Sequence, residues 1–173
     1  MKLSLYEASV PGYLQTLTAL SGVLDKGLSH CKESGIDSEA MVETRLYPDM
    51  LPLRFQIHSV VHHSLGTIEA IHSGVFRPPT DLPQDNYAAL QVLVVQTRET
   101  LQKCQPDAIN AREGAEIMFE FRKNRLPFTA EGFLLSFSLP NFYFHATTAY
   151  DILRSKGVPL GKRDFLGTLR MKS

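Results

Sequence analysis

The chain has no tryptophan, two cysteines, no net charge and no long apolar run. Each absence removes a class of protein. Lys plus Arg and Asp plus Glu both number 18, so the basic excess of a dedicated nucleic-acid binder is missing. No stretch approaches the roughly 20 apolar residues of a membrane helix. The greasiest segment, Gly132–Ala149, is interrupted by Ser136, Ser138, Pro140, Asn141 and His145. The opening residues hold one lysine and no extended apolar core, so no secretory signal is expected. These readings predict a cytoplasmic protein with no nucleic-acid partner and no membrane partner. Cys31 and Cys104 lie far apart without CxxC or metal-type spacing. They read as free thiols near helix ends, and nothing in the spacing favours either as a nucleophile paired with His145. P-loop, GxGxxG, HExxH and GxSxG motifs are all absent.

What remains is an ordinary globular composition, 43% hydrophobic and 21% charged over 173 residues. That length fits one domain, residues 1–173, with a full core. Leu14, Leu17, Leu20, Leu24 and Leu28 recur at helical spacing, predicting a helix from about Val10 to Lys32. Ser9 is its expected cap, with Pro11 in the first turn. Asp37 or Ser38 can cap a short helix through Arg45. A second long helix is expected over Leu51–Ser73. A loop holding Pro78, Pro79 and Pro83 leads to a third, Asn86–Cys104. The period then changes. Ala115–Phe121 and Leu126–Thr129, joined by a polar turn with Asn124 in a left-handed position, predict a small β-hairpin. Thr129 caps a fourth helix, Ala130–Lys156, which Pro140 kinks without ending. Gly157 suits the position after it. The tail from Val158 is expected to be extended, with Lys162, Arg163 and Asp164 as a surface ion-pair cluster anchored by Phe165 and Leu166. Four long helices with short connections predict an all-α, up-down four-helix bundle with a β-hairpin insertion before the last helix.

The candidate chemistry lies in histidines. His58 and His62 are one turn apart, the spacing of metal ligands on one helix face. The helical phase puts His58 at the edge of the apolar face, His62 toward solvent and His63 on the opposite flank. His30 and His72 sit near helix C-termini, where a cationic ring suits the dipole. His145 stands out. Phe142, Tyr143, Phe144, Tyr150, Ile152 and Leu153 make its helix apolar almost all round. Asn141, His145 and Thr148 form a polar stripe through that surface. Buried polar groups need partners. Two readings stay open: a satisfied core network, in which His145 bonds a carbonyl or a tyrosine hydroxyl, and a ligand or metal position facing a pocket.

Three segments carry a family resemblance: SLYEASVPGYLQTL at Ser4–Leu17, RLYPDMLPLRFQI at Arg45–Ile57, and LPNFYFHATTAYDILRSKGVPLGKRDFLG at Leu139–Gly167. Together they make the chain resemble an uncharacterised bacterial family within the DinB/YfiT-like superfamily of metal-dependent four-helix bundles. The resemblance implies a homodimer and a pocket between the second and fourth long helices. It also implies a three-histidine site for a divalent metal (zinc, nickel or iron), with one ligand from the second helix and an HxxxH pair from the fourth. Some such relatives are thiol-dependent transferases or isomerases. Carried onto this sequence, the metal candidates are His58, His62 and His145, and the pocket candidates are Asn141, Tyr143, His145 and Thr148. Asn141 occupies the first position of the HxxxH pair, and an amide is a weaker ligand than imidazole there. The alternative is a non-enzymatic bundle that binds a small molecule, or nothing, without metal.

Overall fold

The computed structural model describes residues 3–81 and 83–172. The first helix, α1 (Leu5–Ser34), starts earlier than the leucine spacing alone indicates. Ser4, not Ser9, is its cap, with Ser4 Oγ accepting from the Glu7 amide at 3.2 Å. The Tyr6 amide donates to Asn110 Oδ1 at 2.9 Å, so a side chain from a distant helix satisfies another orphan donor. Ser9 instead turns its hydroxyl back onto the Leu5 carbonyl at 2.7 Å. Pro11 therefore lies inside the helix. Its missing amide affects the carbonyl of Glu7, an exposed residue that water can serve.

After α2 (Ser38–Val42) the predicted second rod is two helices, α3 (Leu53–His62) and α4 (Leu65–Ser73). They break at His63–Ser64, where the Ser64 hydroxyl takes the Val60 carbonyl at 2.8 Å. The His63 carbonyl is then caught from two sides. Ser138 Oγ donates to it at 2.9 Å and Thr67 Oγ1 at 3.1 Å. Tyr13 joins this buried group through Ser138, 3.3 Å away. The break is thus held by a residue from the other end of the chain.

Gly74 ends α4 at φ 80° and turns the backbone into a strand, β1 (Val75–Phe76), which the sequence did not announce. After α5 (Tyr87–Leu101) and α6 (Pro106–Asn110), β1 pairs in parallel with β2 (Glu116–Phe121). β2 pairs antiparallel with β3 (Asn124–Thr129). The predicted hairpin is therefore the larger part of a three-stranded sheet, and the chain is mostly helical rather than all-α. The left-handed residue of the turn is Arg122, at φ 55°, not Asn124.

Thr129 caps the last rod by accepting from the Gly132 amide at 3.1 Å. The rod runs as α7 (Ala130–Phe133), a π-helical turn (Leu134–Ser138) and α8 (Leu139–Ser155) without leaving helical backbone. In the π turn the Leu139 amide reaches the Leu134 carbonyl. Pro140 follows at once, so the wider turn absorbs the clash and lost donor that proline brings. The same turn brings Ser138 fully inside, facing the His63 carbonyl.

Gly157, at φ 90°, ends the rod. The tail is not wholly extended: α9 (Lys162–Leu166) packs on α1, pinned by Asp164 Oδ1 to Lys26 Nζ at 2.7 Å. Phe165 meets the Tyr150 ring edge-on. The long helices pair as α1 with α5 and α8, and α3 with α5 and α8. Tyr13, Leu17, Leu24, Ile57, Leu90, Phe142 and Ile152 lie between them, fully buried. The sheet closes one end where Phe76, Phe119 and Phe128 pack on Phe133 and Phe137 of the last rod, with rings stacked, tilted or edge to face. No described helix is long and apolar enough to cross a membrane. Cys31 and Cys104 are both free.

Candidate functional site

Four imidazoles gather around the break at His63. His58 lies in the middle of α3 and His62 at its end, His63 occupies the break, and His145 reaches them from the middle of α8. All four line one cavity of about 500 Å³, with Phe55, Ser59, Gln84 and the loop residues Pro78, Pro79, Thr80 and Asp81. Phe76 of β1 forms the floor beneath two of the rings, 4.3 Å from His62 and 5.4 Å from His63 between centroids. The loop is tied to α3. Arg54 bonds Gln84 and pairs with Glu43 at 2.8 Å, and His58 Nε2 lies 3.0 Å from Asp85 Oδ2. That last contact is at ion-pair distance but lacks hydrogen-bond alignment.

His145 is 9% exposed, and its Nδ1 lies 2.8 Å from Gln56 Oε1 on α3. The partner is a side-chain amide, not the carbonyl or tyrosine expected from sequence. Gln56 is itself buried, and its Nε2 donates to the Leu51 carbonyl at 2.8 Å. That second bond settles which end of the amide is which. An oxygen faces His145, so Nδ1 must carry the proton. In the neutral ring Nε2 is then a bare lone pair.

His63 is 8% exposed, and its ring stacks on that of His145, 5.9 Å between centroids and 15° from parallel. His63 Nδ1 and His62 Nε2 are buried without a hydrogen-bond partner among the described residues. Burial disfavours the charged form of every one of these rings. It carries His63 down to about 3, with His62 and His145 adding like-charge cost, and His145 down to about 4. His62 is lowered by burial alone. In His58 burial outweighs the opposing pull of Asp85. Near pH 7 the cavity therefore presents neutral imidazoles.

The expected site residues divide. His58, His62 and His145 come together around one cavity. Asn141, Tyr143 and Thr148 do not line it. The Asn141 amide donates to the Phe137 carbonyl at 2.7 Å, and Thr148 bonds the Phe144 carbonyl at 2.8 Å. Two members of the polar stripe are thus satisfied within their own helix, and His145 alone reaches across. Tyr143 and Phe144 are 42% and 58% exposed, so the helix is not buried all round as its composition suggested. His62 is half-buried rather than solvated, because β1 and the proline loop cover the face that the helical phase left open. His63 and Gln56 were missed. A signal existed for Gln56, an amide set among Leu53, Ile57 and Val60 on the apolar face of α3. None existed for His63, whose position depends on the helix break.

The fit to a divalent metal can be tested on these positions. Among the described residues no three His, Cys, Asp or Glu side chains converge closely enough to hold an ion. Asn141 is turned to its own helix, and His63 and His145 lie face to face rather than pointing at a shared centre. The three-histidine set does not fit.

No curated protein matches the chain. Among solved structures, the chain is similar to a DinB family member protein from Shewanella denitrificans, solved at 1.83 Å. The TM-score is 0.82 at 24% identity, over 98% of this chain and 95% of that one. At that identity the likeness is one of fold. Residues 5–166 match a family model described as a domain of unknown function, DUF1993. With that match spanning nearly every element from α1 to α9, the chain belongs to the DUF1993 family and is built on a DinB-like fold.

Proposed function

We propose that the protein is a DinB-like four-helix bundle that binds a small organic molecule in the cavity between α3, α8 and the loop residues Pro78–Asp81 and Gln84, without a resident three-histidine metal. The helix pairings support the bundle. One observation carries the binding role: buried ring nitrogens of His62 and His63 stand unpartnered beside a cavity of ligand size. Unpaired buried polar groups cost about 1–3 kcal/mol each. Cavities with apolar walls and a few fixed polar groups are the common form of small-molecule sites.

A divalent-metal reading has one observation in its favour. Gln56 holds His145 as outer residues hold metal-binding histidines, with the far nitrogen bare. Two further ligands would have to turn in from His58, His62 or His63. Elemental analysis of protein purified without a histidine tag separates the readings. Absence of stoichiometric metal, together with ligand-dependent melting of the metal-free protein, supports the organic-ligand role. Stoichiometric zinc, nickel or iron overturns it.

The homodimer implied by the family resemblance, and the cytoplasmic location expected from the lack of a secretory signal and membrane helix, belong to the same proposal. Leu135, Tyr143 and Phe144 on the last rod are exposed apolar side chains that a second copy would cover. Light scattering across a dilution series tests it, and a monomer at all concentrations contradicts it.

A further inference from the structure

We propose that the cavity selects a compact neutral or cationic organic molecule whose N–H or O–H group donates to His145 Nε2, and that Gln56 is the positioning residue that sets this preference. The inference rests on the ligand-binding reading above and specifies its chemistry.

The selection begins at the start of α3. Pro52 caps the helix, and the helix keeps the Pro52 carbonyl for the Gln56 amide at 3.2 Å. The Leu51 carbonyl lies one residue outside that ladder. It accepts from the Gln56 side-chain NH₂ instead. With its nitrogen committed, Gln56 has only an oxygen to offer across the interface. His145 must meet an acceptor with a donor, so its proton sits on Nδ1 and its lone pair on Nε2. A backbone carbonyl outside the binding surface thereby fixes the polarity of a ring on the cavity wall. The opposite tautomer would set two acceptors against each other at 2.8 Å in a buried place.

The remaining lining residues state the charge preference. Phe55, Pro78 and Pro79 give apolar surface, and Thr80 and Gln84 give neutral polar groups. The only formally charged side chain among the described lining residues other than histidine is Asp81. Among the described residues no Lys or Arg lines the cavity. Arg54, the nearest cation along α3, is committed to Glu43 and Gln84. A phosphate or carboxylate would enter without a cation to receive it and would face Asp81. An ammonium or a neutral donor would not. The His63 ring, stacked on that of His145, adds a flat neutral surface beside it.

Three probes of one shape and different charge test this: benzylamine, benzyl alcohol and benzoate. They are titrated into the full chain labelled with ¹⁵N at its histidine rings, and ring correlation spectra are recorded. The unliganded spectrum is expected to show His145 with its proton on Nδ1. Benzylamine and benzyl alcohol are expected to shift His145 Nε2 saturably, and benzoate to bind at least tenfold more weakly. Gln56→Leu, checked for folding by its melting curve, is expected to lose the single tautomer and to weaken benzyl alcohol binding at least fivefold. Benzoate binding as tightly as benzylamine overturns the charge preference. A proton on His145 Nε2, or unchanged binding by folded Gln56→Leu, overturns the role of Gln56. If no probe shifts any cavity histidine, the ligand-binding reading itself fails.

Discussion

Gln56 Oε1 on α3 accepts the Nδ1 proton of His145 on α8, 2.8 Å away, and this is the bond that ties the two walls of the cavity together. Both residues are buried, so removing one leaves the other without water to replace it. Gln56→Leu is expected to lower unfolding free energy by about 1–3 kcal/mol. His145→Leu should cost a similar amount. The double variant should cost clearly less than the sum, because each single change orphans its partner. Denaturant melts of the four proteins measure the cycle. Strict additivity would mean that the bond contributes nothing.

Stability should fall in mild acid. Above pH 6.5, the ordinary histidine value, the rings are neutral in folded and unfolded chains alike. Below it the unfolded chain takes up protons that the folded chain refuses until about pH 4 for His145 and about pH 3 for His63. Stability therefore drops as pH falls through that window, by up to about 1.4 kcal/mol per pH unit for each fully dry ring and less with residual hydration. His63→Phe keeps an aromatic surface against Phe76 and Phe137 and should flatten the slope. Urea midpoints from pH 7.5 to 4.5 decide the matter. A wild-type profile flat across that range would show that the rings are more hydrated than their burial indicates.

Much of this architecture is readable in the residues because its signals are local. Asn86 before an apolar run opens α5, Thr129 opens the last rod, Gly157 closes it, and alternation marks the hairpin. The break in the second rod is not local. Val60, Ser64, Ile68 and Ile71 continue at helical spacing straight through it, and what stabilises it is Ser138, 75 positions away. The same event turns His63 into the cavity, so a straight-helix phase misplaces it, whereas His62 is misplaced because β1 and the proline loop cover its face. β1 is similarly invisible, since two residues become a strand only by pairing with β2. His145 was legible as a polar residue in a greasy helix, and the same test applied to α3 finds Gln56.

Ser138 should matter out of proportion to its size. Ser138→Ala removes a donor to the His63 carbonyl and a neighbour of the Tyr13 hydroxyl, all in the dry core. Thr67 still serves the carbonyl, so the expected loss is moderate, about 1–2 kcal/mol. The ring signals of His62 and His63 should shift in the variant while that of His30, on α1, stays put. Unmoved His63 signals would separate the network from the site.

Gly27 is required by close packing. A methyl group there would run into the Tyr87 hydroxyl, which donates to the Leu24 carbonyl at 2.8 Å, and would press on Leu153 at 3.2 Å. The φ of Gly27 is ordinary helix, so alanine carries no backbone penalty of its own. Gly27→Ala should nevertheless destabilise by about 1–3 kcal/mol through overpacking, against the usual gain from Gly to Ala in a helix. Thermal melts give the sign at once, and a stabilised variant would show that α1 and α5 can move apart freely.

The most direct test of a small-molecule cavity built around His145 is a set of crystals soaked with small neutral and cationic fragments. The expected result is a fragment between Phe55, Pro78 and His145, its N–H or O–H group at hydrogen-bond distance, roughly 2.7–3.2 Å, from His145 Nε2. An ion bound by His145 together with two more protein ligands, or a cavity that admits no fragment while other surfaces do, would contradict the account.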